Sequence, residues 1–104
     1  MAATTSQGGV RGTQIHQGAT RSTISAAETN QLKSGSGTLG RVQVSNVGTT
    51  ATLDIYDATS GTTNKFFEWV SADGKINHEL NLPFGTGLRV ITGGTVGIIN
   101  IVWS

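Results

Sequence analysis

Two histidines, His16 and His78, and five carboxylates beyond residue 36 (Asp54, Asp57, Glu68, Asp73 and Glu79) are the side chains best suited to acid–base or metal chemistry. Neither histidine has a second one two or four residues away, so no pair shares a face to hold a metal. His78 alternates with Ile76 and Leu80, the setting of a partly buried structural residue. A glycosidase needs two carboxylates facing each other across a cleft, and the spacing of the five singles out no pair. Asp57-Ala58-Thr59-Ser60-Gly61 lacks the repeated oxygen ligands of a calcium loop. A nucleophilic serine wants a constrained Gly-x-Ser-x-Gly turn; the chain offers Gly35-Ser36-Gly37, which is linker chemistry. The absence of cysteine excludes disulfides, thiolate metal sites and a thiol nucleophile. Gly85-Thr86-Gly87 lacks the third glycine of a dinucleotide fingerprint, and no Gly-Lys-Ser/Thr follows Gly93-Gly94. The residues therefore assign no catalytic, cofactor or metal site, and a non-enzyme is expected.

Binding chemistry is left to the aromatics. Phe67 and Trp69 share one strand face and read as core, whereas Tyr56 and Phe66 point away from their core-facing neighbours. They form a candidate exposed aromatic patch, suited to a subunit interface or a sugar. The net charge is +1, which gives no electrostatic case for nucleic acid or an anionic membrane. Neither partner is expected. The first 30 residues hold no apolar run of the signal-peptide kind.

Charged residues are only 12% of the chain, and threonine, glycine and serine dominate, so an all-β protein is expected. From Thr38 the apolar residues alternate with period two. Val42 and Val44 share a face, then Leu53 and Ile55, then Phe67 and Trp69, then Ile76, His78, Leu80 and Leu82. Asp73-Gly74 predicts a tight hairpin between the strands on either side. Pro83, the only proline, is expected between strands. Leu88–Ile91 and Ile98–Trp103, separated by Gly93-Gly94-Thr95-Val96-Gly97, read as an antiparallel pair closing the fold. The last strand is apolar on both faces and is expected to be buried on both. Six strands at this spacing predict a small antiparallel β-sandwich or barrel, jelly-roll-like, over residues 37–104.

Residues 1–36 differ. Their large apolar residues, Met1, Val10, Ile15, Ile24 and Leu32, are widely spaced and interrupted by glycines. This segment is expected to be an extended N-terminal arm that cannot order on its own. It carries Arg11, Arg21 and Lys33 against Glu28, a net of +2, on a body of net −1.

Four runs in the body carry a resemblance: Gln43-Val44-Ser45-Asn46-Val47-Gly48-Thr49, Leu53-Asp54-Ile55-Tyr56-Asp57-Ala58-Thr59-Ser60-Gly61, Leu82-Pro83-Phe84-Gly85-Thr86-Gly87-Leu88 and Ile99-Asn100-Ile101-Val102-Trp103. Over residues 40–104 the chain resembles small β-rich structural proteins of tailed bacteriophages, most of all capsid decoration (cement) proteins. The resemblance implies a virion protein on the capsid surface, made in the host cytoplasm. Its partners would be itself, as a homotrimer, and the major capsid protein. The arm's Val10, Arg11, Ile15, Arg21, Ile24 and Leu32 are the expected inter-subunit contacts. The alternative is a head-fibre or tail module binding a host glycan or surface protein, with Tyr56 and Phe66 as its platform.

Overall fold

Alternating apolar residues put every second side chain on one face of a strand, and burial of that face requires a second sheet. The computed structural model describes residues 19–104, in which eight strands do this. They are β1 (Thr20–Ile24), β2 (Thr29–Ser34), β3 (Gly37–Asn46), β4 (Thr49–Tyr56), β5 (Lys65–Val70), β6 (Ile76–Phe84), β7 (Gly87–Thr95) and β8 (Ile98–Trp103). One four-stranded sheet has the order β1-β8-β3-β6 and the other β2-β7-β4-β5, with every pairing antiparallel. Every connection except β4–β5 passes from one sheet to the other. Two four-stranded sheets wound in this way make an eight-stranded jelly roll. The expected all-β sandwich and its jelly-roll character are both present.

The core lies between the central strands. Val42, Val44 and Leu39 of β3 stand opposite Ile101, Ile99 and Trp103 of β8. From the other sheet, Leu53 and Ile55 of β4 stand opposite Thr92 and Val90 of β7. All of these except the half-buried Trp103 are sealed from water. Phe67 and Trp69 of β5 pair with Ile55 and Leu53 and so share the inner face, as their spacing implies.

Four expectations change. First, β7 and β8 do not pair with each other; they lie in different sheets. A glycine-rich break signals a reversal but not which sheet receives the returning strand. Here Gly97 packs so closely on the backbone of Asn46 that a Cβ would overlap it, seating the β7–β8 link against the β3–β4 turn. Second, Asp73-Gly74 does not close a hairpin. Ser71–Asp73 is a single 3₁₀ turn that carries the chain from β5 in one sheet to β6 in the other. The Asp73 carboxylate accepts the Val70 N–H at 3.2 Å, and the Trp69 indole donates to Gly74 O at 2.9 Å. Third, Pro83 lies inside β6 opposite Thr38. β6 is an edge strand, where a missing N–H on the outward side leaves no ladder bond unmade. Fourth, the outer face of β8 is not sealed, since Ile98 is 42% exposed. No further layer covers that sheet among the described residues.

The arm also ends earlier than residue 36. Residues 20–24 and 29–34 form β1 and β2, which border the two sheets on the same side of the sandwich. An edge strand needs few apolar residues because its ladder and one inward side chain suffice to seat it. In β1 that side chain is Ile24, 2% exposed and opposite Ile99. Ile24→Ala is expected to lower stability by about 2–5 kcal/mol, the range for emptying a core site. The measurement is the midpoint of urea unfolding. A residue on an unattached arm would leave that midpoint where it was.

Candidate functional site

The turns divide between the two ends of the sandwich. One end carries residues 35–36, 57–64 and 85–86, together with Ser104 and the start of β1. Asp57, directly after β4, organises this end. Its Oδ1 accepts the N–H groups of Thr86 at 2.7 Å and Gly87 at 3.1 Å, and its Oδ2 accepts that of Gly85 at 2.9 Å. Gly35 donates its N–H to Thr86 O at 2.8 Å, and Asp57 donates its own to Asn64 O at 3.0 Å. The carboxylate thus joins the 57–64 loop to the 85–87 turn, and the Gly35 N–H ties the 35–36 turn to the same place through Thr86 O. The amides of Gly85 and then Thr86 hold its pKa below the usual carboxylate value; burial opposes them, and the Gly87 amide adds a smaller lowering effect.

The 57–64 loop folds back over the outer face of its sheet. Arg89 Nε donates to Gly61 O at 3.0 Å, and Gln31 Nε2 donates to Ala58 O at 2.8 Å. Tyr56, opposite Arg89 and Lys65 in the ladder, is buried by this arrangement at 6% exposure. The expected exposed patch of Tyr56 and Phe66 is therefore not formed as a pair. Strand alternation did place Tyr56 on the outer face, but nothing in the sequence shows a loop lying across that face.

Phe66 remains at the surface. It is half-buried and lines an open groove of about 510 Å³ that spans the two sheets. One wall is Asp57, Asn64, Lys65 and Phe66; the other is Leu82 and Pro83 of β6. Asn64 has a left-handed backbone, φ 59°, as does Asn81 beside the second wall, φ 51°. Asparagine tolerates this region better than most residues. Lys65 Nζ lies 3.4 Å from Asp54 and 3.6 Å from Glu68, so the rim around the groove is acidic on balance. Asn64, Leu82 and Pro83 were not expected at a site. The available signal was one asparagine, Asn64, directly before a strand, which by itself reads as turn chemistry.

The expected contact residues separate. Val10, Arg11 and Ile15, like His16, lie outside the described residues. Ile24 is sealed in the core, and Leu32 is half-buried against it. Arg21 is exposed on the outer face of the first sheet, in one cross-strand row with Val102, Arg41 and Glu79. Arg41 pairs with Glu79 at 3.4 Å. His78 lies opposite the inward-facing Val42 but is exposed, because β6 is an edge strand. Among the described residues no group of three or more histidines and carboxylates could hold a metal ion, and no helix is long and apolar enough to cross a membrane. Comparison with known protein families, with curated proteins and with solved structures gives no match to this chain.

Asp57→Asn is expected to cost about 1–2 kcal/mol at neutral pH, a charged hydrogen-bond value discounted for partial exposure. The folded-state pKa is depressed, so the carboxylate's contribution is present above its unfolded pKa, near 4, and is lost as pH falls through the lower folded value. Urea midpoints of the two proteins should therefore differ at pH 7 and converge as pH falls below about 4. A constant difference down to acid pH would show that the charge on Asp57 is not what holds the 85–87 turn.

Proposed function

We propose that this protein is a non-enzymatic component of a bacteriophage virion, a decoration or cement protein that binds the outer capsid surface as a homotrimer and stabilises the head. The observation that carries this reading is the strand connectivity. Sheet orders β1-β8-β3-β6 and β2-β7-β4-β5 form the jelly roll also used by viral capsid and lectin domains. Fold alone supports many functions. The resemblance of the runs between Gln43 and Trp103 to small tailed-phage proteins is the second ground on which this reading rests.

The end of the sandwich supports the same reading. Residues 1–18 carry Arg11 and no acidic side chain, and they join the fold at Ala19, beside Ser104 and the Asp57 turns. Val10, Arg11 and Ile15 remain the proposed contacts with the capsid protein or with neighbouring copies, and Arg21 lies near the junction. Several weak attachments on one trimer would raise occupancy through effective concentration without any single tight contact.

Quantitative composition of purified virions tests this directly. The protein should be present in a whole-number relation to capsomers, and particles lacking it should release DNA at lower temperature. A few copies per particle, or unchanged thermal resistance without it, would overturn the cementing role.

A further inference from the structure

We infer that the groove between β5 and β6 binds a pyranose ring of an uncharged saccharide. The inference does not depend on the capsid reading. At about 510 Å³ the groove has room for one sugar ring, and being open it would hold that ring by one side. Its composition is mixed. Phe66, Leu82 and Pro83 supply apolar surface, and Asn64, Lys65 and Asp57 supply polar groups beside it. A sugar ring matches both halves. Its axial C–H bonds, polarised by the ring oxygens, are attracted to the negative face of an aromatic ring. Its equatorial hydroxyls need an amide that both donates and accepts; the exposed Asn64 side chain offers its Oδ1 and one N–H, the Nδ2 group also donating to Asp57 O at 3.4 Å.

Two other classes of ligand fit less well. An extended peptide that added a strand to either wall would need a regular, unpaired backbone edge. On the β6 wall, Pro83 has no N–H, and the register shifts between Leu39 and Arg41 opposite the left-handed Asn81. On the β5 wall, the left-handed Asn64 breaks the extended backbone where β5 begins. Recognition must therefore come from side chains. An anion would meet Asp57, Asp54 and Glu68, while the one cation among them, Lys65, is already held by Asp54 and Glu68. A neutral polyol avoids that repulsion.

The test is titration of the full-length ¹⁵N-labelled protein with methyl glucoside, methyl galactoside, N-acetylglucosamine and N-acetylneuraminic acid, followed by amide chemical shifts. At least one neutral sugar should give saturable shifts at Asn64, Lys65, Phe66 and Leu82, with a Kd of order 1 mM, typical of a single shallow contact. Phe66→Ala should weaken binding at least about tenfold, or roughly 1.4 kcal/mol. Phe66 also packs on the core, so Asn64→Gly provides a second variant: it keeps the positive φ, removes the amide and should weaken binding while leaving the fold intact. Absence of saturable shifts with every neutral sugar would overturn the proposal. So would shifts unchanged in Asn64→Gly, or tighter binding of the anionic sugar.

Discussion

The sandwich depends on one contact, that of the β3–β8 pair in the first sheet against the β4–β7 pair in the second. These four strands are central in their sheets, and their inward side chains are almost all aliphatic and sealed from water. Aliphatic burial at roughly 25 cal/mol per Å² is the main stabilising term available to a chain with few aromatic residues and no cysteine. The edge strands β1, β2, β5 and β6 add ladder hydrogen bonds and close the flanks. They would have nothing to border if the central pairs did not meet.

That division explains what could be read from the sequence. A central strand shows its inward face as a run of alternating aliphatics, so Val42, Val44, Leu53, Ile55, Ile99 and Ile101 declared themselves. An edge strand is asked for much less. β1 offers Ile24 alone among threonines, a serine and an arginine, and so looked like part of an arm. Sheet membership was hidden for a different reason. Gly93-Gly94 and Asp73-Gly74 provide the backbone freedom for a reversal whether the chain stays in its sheet or crosses about 10 Å to the other. Only packing at the turn decides, as with Gly97 against Asn46.

The groove was legible by half. Phe66 stood out because it broke the alternation around Phe67 and Trp69. Asn64 and Lys65 are its sequence neighbours, but Leu82 and Pro83 come from β6 and Asp57 from the far side of an eight-residue loop, and only the tertiary fold brings these to it. Tyr56 carried the same local signal as Phe66 and met the opposite fate, because the 57–64 loop is tied over it by Arg89 and Gln31. Local pattern assigns a face to a residue. Whether that face meets water is decided by segments elsewhere in the chain.

The pairing of β1 with β8 bears on how the molecule is made. β1 has a single ladder partner, and that partner comprises residues 98–103. β3, too, depends on those residues for one of its two neighbours. During synthesis the first sheet can therefore pair β3 with β6 but cannot be completed until residues 98–103 are available. Until residues 98–103 are in place, Ile24, Leu39, Val42 and Val44 lack the cover of β8. High contact order of this kind slows folding. It also gives the low apolar content of β1, where Ile24 is the one aliphatic residue, a physical use, since a strand that must wait for its partner has little to hide.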